Sequence, residues 1–194
     1  MTKRVQVALV VLLAAIVGMG FYAFHLKHQA ELLPSRTANV RPMAPPATGT
    51  SERVTLYVAH DDDGMLHKTA ASVALPGESG PRAREVLRAL ISLYLEKDSP
   101  HPLGAGADVV DVFLVKPDMD IVDTNAAFAE THRSGILVEQ LTVASIAQTL
   151  AANVPGVTRV KILVDGKERQ TLAGHVDLVD FYSTAAGDPW PVWQ

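Results

Sequence analysis

Along residues 53–59 (RVTLYVA) apolar and polar side chains alternate, with Val54, Leu56 and Val58 on one face and Thr55 and Tyr57 on the other. A period of two predicts a half-buried strand. Residues 68–75 (KTAASVAL) repeat the pattern more weakly, aligning Ala71, Val73 and Leu75, and Pro76-Gly77 stops it. From residue 80 to residue 97 the period changes. Ala83, Val86, Leu87, Leu90, Ile91 and Tyr94 recur at helical spacing, Pro81 suits a first turn, and Ser79 or Gly80 is the expected cap. Arg82, Arg84, Glu85 and Arg88 lie mostly off that stripe, which predicts a solvated face and no anion site. A loop rich in proline and glycine (98–108) precedes a strand at 109–115 (VVDVFLV). After the turn KPDMD another strand begins over 121–124. A second helix is predicted over 136–154, with Val143, Ile146, Ala147, Leu150, Ala151 and Val154 in line, and Pro155-Gly156 ends it. Residues 157–164 (VTRVKILV) alternate again, with Val160, Ile162 and Val164 inward. Asp165-Gly166 is a two-residue hairpin signal that returns a strand over 167–172. The order is ββαββαββ, two ββα units and a hairpin. It predicts an α+β two-layer sandwich, an antiparallel or mixed sheet with two helices on one face.

The first 52 residues follow other rules. Residues 5–24 (VQVALVVLLAAIVGMGFYAF) hold Gln6 as their one strongly polar side chain. A run of about 20 such residues spans a bilayer as a helix, and Lys3 and Arg4 ahead of it place residues 1–4 in the cytoplasm. The run is longer than the apolar core of a cleaved signal peptide, so an uncleaved single-pass anchor in the cytoplasmic membrane is expected. Pro34, Pro42, Pro45 and Pro46 then break residues 25–52 into a tether without apolar period, with His25, Lys27 and His28 as an ordinary polar flank. A body over 53–180 and a tail over 181–194 complete the chain. The body is expected on the extracytoplasmic side, and membrane lipid around residues 5–24 is the first partner.

Composition trims the possible chemistry. The formal charge is −4 without a basic stripe, which speaks against nucleic acid, and the mean hydropathy of +0.16 is carried by the apolar run. There is no cysteine, hence no disulfide, thiolate ligand or lipid-anchoring thiol.

The candidate chemistry starts at residues 60–67, HDDDGMLH. A turn centred on Asp63-Gly64 would set His60 directly opposite His67, with Asp62 on the same face, and zinc or copper could bind such a trio. Asp-Gly forms a hairpin turn for backbone reasons alone, and the calcium-loop pattern is absent, so a plain hairpin tip is expected. His132 and Ser134 (ETHRSG) read as loop residues and not as a nucleophile system. Asp118, Asp120 and Asp123 read as turn residues and not as a catalytic carboxylate pair. Gly104-Ala105-Gly106 lacks the third glycine of a phosphate cradle, and Gly174 with His175 reads as a bend. No catalytic, cofactor-binding or metal residue is assigned, and no cofactor is expected. Trp190 and Trp193 in the tail (PWPVWQ) are expected to dock on the body, with a disordered tail and a partner-binding peptide as the alternatives.

Three stretches carry a resemblance: VTLYVAHDDDG with VALPGESGPRAREVLRALI, then IVDTNAAFA, then IAQTLAANVPGVTRVKILVDGKERQTLAGHVDL. Residues 53–178 resemble the GerMN domain of spore germination and sporulation proteins. The resemblance implies an extracytoplasmic module without known catalysis. In spore formers such domains support assembly of a trans-envelope complex, and their fold is similar to ring-building modules of secretion systems. It implies envelope protein partners, with self-association as an analogy, and offers no active-site motif. This chain departs from many relatives in its helical anchor and its single copy. The expected function is a non-catalytic, membrane-anchored scaffold or interaction module of the cell envelope. The alternative is a metal-dependent or other hydrolase acting on envelope material.

Overall fold

The computed structural model describes residues 49–184, all within one compact unit that spans Ala44–Gln194. The expected anchor at 5–24, the tether up to residue 48 and the tryptophans of the tail lie outside the described residues. Among the described residues no helix is long and apolar enough to cross a membrane.

Strands β1 (Thr50–His60) and β2 (Met65–Leu75) form an antiparallel hairpin that is a sheet by itself. Helix α1 (Ser79–Tyr94) follows, then β3 (Val109–Val115) and β4 (Met119–Thr124). A short helix α2 (Ala126–Glu130) and the long α3 (Ile136–Asn153) precede β5 (Arg159–Val164) and the two-residue β6 (Tyr182–Ser183). The second sheet has the order β3-β4-β5-β6. Its β4–β5 pair is parallel and the other two are antiparallel. The fold is mixed α+β, but the single sheet predicted from the sequence is two sheets.

The predicted stripes find the core. All six stripe residues of α1 are buried, as are Val54, Leu56 and Val58 of β1 and Val160, Ile162 and Val164 of β5. At roughly 1.5–3 kcal/mol for each fully buried aliphatic side chain, this shared core is the main favourable term in folding. Helix α1 packs on β3 and on the hairpin, while α3 lies along β1.

Three expectations fail for identifiable reasons. Asn125 caps α2 by accepting from the Phe128 N–H, and this five-residue helix is too short to show a period. The turn Asp165-Gly166 forms with both φ angles positive (52° and 70°), as a type I′ turn requires. The strand expected after it does not form. Only the isolated bridges Val164–Lys167 and Thr171–Asp177 appear, because residues 173–176 are held by α3 and β5 pairs instead with β6. The arginines of α1 are not a solvated face either. Arg82 grips Glu52 with two bonds of 2.7 and 2.6 Å, and Arg84 and Arg88 share Glu85. Arg88 also reaches Asp108 (2.9 Å) and the Val109 carbonyl (3.2 Å), tying α1 to the start of β3.

The hairpin has one closed edge. The N–H groups of Thr55, Tyr57 and Ala59 point away from β2. They donate to Asn153 Oδ1 (3.1 Å), Thr149 Oγ1 (3.0 Å) and the Tyr94 hydroxyl (2.8 Å). Asn153 Nδ2 returns a bond to the Thr55 carbonyl (2.7 Å). Helix side chains thus stand where a further strand would be, which explains why Thr149 is buried on a helix that reads as apolar.

Candidate functional site

The acidic tip is a hairpin, but not in the predicted register. His60 pairs with Met65 and His67 with Val58, so the loop holds four residues, Asp61 to Gly64. Asp61 opens it. Its N–H donates to the Pro100 carbonyl, and its carboxylate is held by His101 Nδ1 (2.6 Å) and by Arg133. The shift is by two residues, so the faces are conserved and the two histidines meet diagonally, with ring centroids 4.1 Å apart. Their nitrogens have separate partners. His67 Nε2 lies 2.6 Å from Asp63, and His60 Nδ1 lies 3.7 Å from Asp62. Asp63, and not Asp62, is therefore the carboxylate bonded at the tip. No group of three or more His, Asp or Glu is positioned for a metal ion among the described residues.

A more connected cluster lies beneath the tip, drawn from four segments distant in sequence. His101 is fully buried and joins Asp61 through Nδ1 and Thr142 Oγ1 of α3 through Nε2 (2.6 Å). His132 meets the same hydroxyl through Nε2 (2.7 Å), and its Nδ1 faces the Arg133 carbonyl (2.7 Å). A carboxylate and a carbonyl only accept, so both Nδ1 atoms carry hydrogens. Both Nε2 atoms then converge on one hydroxyl whose single hydrogen is also within reach of the Val138 carbonyl (3.1 Å). Burial pushes both imidazoles below their ordinary pKa; the Asp61 bond opposes this for His101 and the Arg133 carbonyl for His132. The line Asp61–His101–Thr142 has the atoms of an acid–base–nucleophile triad. Thr142 is fully buried, however, and its oxygen is shared by two rings while its hydroxyl donates to the Val138 carbonyl (3.1 Å). The cluster links the hairpin tip, the 98–108 loop, the segment of His132 and α3.

Ser134 is not beside His132 but beside His175, with its Oγ 3.3 Å from Nδ1. The same Nδ1 lies 2.9 Å from Glu139 Oε1, so its hydrogen is committed to the carboxylate. A general base needs a bare nitrogen facing the hydroxyl, and this contact lacks one. Glu139 itself is fully buried. Burial would raise its carboxyl, but the N–H groups of Val176, Ala173, His175 and Gly135, with His175 Nδ1, outweigh that and bring it down to about 2. A cleft of about 360 Å³ opens alongside, lined by Ile136, Gln140, His175, Asp177, Asp180 and Tyr182.

The remaining candidates separate. Asp118 binds Thr158 and Arg159, and Asp123 accepts from the Gly166 N–H (2.6 Å). Asp120 is buried with Oδ2 lacking a partner, and burial pushes its carboxyl up to about 6. Asp118 and Asp123 are turn and strand anchors, whereas Asp120 is a buried acid that reading by turn chemistry missed. Gly104 is not an open cradle, since a Cβ there would sit 2.0 Å from Thr131 Oγ1.

Known structures share this architecture. The first GerMN domain of the sporulation protein GerM from Bacillus subtilis aligns with 71% of this chain and 99% of its own, at 21% identity and a TM-score of 0.50. The tandem GerMN domains of the same protein align with 69% of this chain, at 21% identity and a TM-score of 0.51. This chain spans only 46% of that tandem structure. No curated protein matches. The family profile described as Germane, sporulation and spore germination, matches residues 55–170, from the middle of β1 to beyond the Asp165-Gly166 turn. The chain belongs to this Germane (GerMN) family.

Proposed function

We propose that the chain is a non-catalytic scaffold or protein-interaction module of the cell envelope, held at the membrane by residues 5–24 and acting in sporulation-like or germination-like assembly. The observation that carries this reading is where the reactive side chains point their hydrogen bonds. Thr142, His101, His132 and Glu139 are buried and bonded within the fold: His101 joins Asp61 to Thr142, His132 meets the same Thr142, and Glu139 gathers His175 and the N–H groups around it. Catalytic groups must leave a lone pair or a hydrogen for a substrate. Family membership supports the same reading, and the twenty-residue apolar run supports the anchor.

Two measurements test it. A reporter fused after Gln194 is expected to be active only on the extracytoplasmic side; activity in the cytoplasm refutes the topology. The purified full chain, incubated with peptidoglycan fragments with and without zinc, is expected to release nothing. Turnover that disappears in His67→Ala would establish the hydrolase instead.

A further inference from the structure

The two long edges of the β1–β2 hairpin are treated in opposite ways. The β1 edge is closed by Asn153, Thr149 and Tyr94. Those bonds also fix the alternation: the even residues of β1 face β2, so the odd residues of β2 face β1. The N–H groups of Leu66, Lys68, Ala70, Ser72 and Ala74 therefore point outward, and among the described residues nothing pairs with them. Natural edges of this length are blunted by prolines, bulges, charged side chains, lysine above all, or a covering helix. This one runs eleven residues in unbroken register, without proline and with Lys68 as its one fully charged side chain. Its central residues, Lys68, Thr69, Ala70 and Ser72, are exposed.

We propose that β2 pairs edge to edge, antiparallel, with β2 of a second copy of this chain, making a continuous four-stranded sheet β1-β2-β2-β1. A strand that adds to an edge must bring an open edge of its own. Among the described residues β6 is two residues long and β3 is engaged by Arg88 at Val109. A copy offers an open edge of the same eleven residues. Full overlap sets the two-fold axis at Ala70. Lys68 then faces Ser72 of the copy, so no like charges oppose. Thr69 faces Ala71, small side chains that clear the approach. Moving the axis to Lys68 would set two ammonium groups against each other, which disfavours that register. The pairing deepens the scaffold reading and rests on it for its biological sense. The two fail separately, because turnover of envelope material sinks the scaffold without touching the strand.

The absence of cysteine makes the test direct. Ala70→Cys in the full chain, in isolated membranes, is oxidised with copper phenanthroline and run without reductant. Residue 70 meets its own copy at a Cα separation of about 5.5 Å, within disulfide range. A homodimer band is expected from Ala70→Cys. Leu66→Cys alone should give none, because residues 66 of the two copies lie about 27 Å apart, and co-expressed Leu66→Cys and Ala74→Cys should restore it. Ala70→Pro removes an outward N–H at an edge position, where proline is tolerated, and is expected to keep the melting temperature close to that of the parent while abolishing detergent-solubilised dimer in sedimentation. No band, equal bands at 66 and 70, or a crosslink to a different protein would each overturn the pairing.

Discussion

Glu139 shows how far one side chain can organise this molecule. It is fully buried and gathers four backbone N–H groups and an imidazole. Its carboxyl titrates near 4.5 when unfolded and about 2 when folded, so its contribution is complete above pH 4.5 and is lost as the pH falls toward 2. The shift corresponds to about 3 kcal/mol. Glu139→Gln is expected to lose about that much at pH 7, and to narrow the gap to the parent between pH 4.5 and 2, measured by urea unfolding across pH. Asp120 behaves oppositely. Burial raises it from 3.8 to about 6, so its ionisation opposes folding as the pH rises through that interval. Asp120→Asn is expected to raise the melting temperature at pH 8, with the gain gone by pH 4. Neither environment is written locally. Glu139 stands among LVEQL and Asp120 in KPDMD, and their partners, or lack of them, come from other segments.

At the scale of elements, the decisive contact is helix α3 on the edge of β1. Asn153→Ala removes an acceptor and a donor from Thr55, and Thr149→Val removes the acceptor of the Tyr57 N–H. Each leaves part-buried backbone without a partner, at a cost of about 1 kcal/mol. Hydrogen exchange is the sharper measurement. The amides of Thr55 and Tyr57 should lose protection, while those of Leu56 and Val58, which face β2, keep most of theirs. Equal loss on both edges would mean that the helix supports the hairpin only through packing. The element boundaries were largely legible, because α1 and β5 follow single periods with clean stops. The hairpin register was not, because it depends on Asp61 being drawn to His101, forty residues away.

At the scale of the whole molecule, the described residues 49–184 lie in one compact unit whose core is shared by the hairpin, α1, α3 and the four-stranded sheet. A chain beginning at Ala44 is expected to unfold in a single cooperative transition, with fluorescence and circular dichroism midpoints coinciding. Separate midpoints would mean that the hairpin folds apart from the second sheet.

The sequence alone determined the stripes of α1, β1 and β5, the Asp165-Gly166 turn and the family, because these depend on local period, local backbone strain and the order of short motifs. Only the tertiary structure decided that the strands form two sheets, that one edge of the hairpin is sealed by Asn153, Thr149 and Tyr94 while the other has no partner among the described residues, and that His101 and His132 bind inward. Those outcomes depend on which buried donors and acceptors meet across tens of residues. Hydrogen bonds of that range leave no period in the chain.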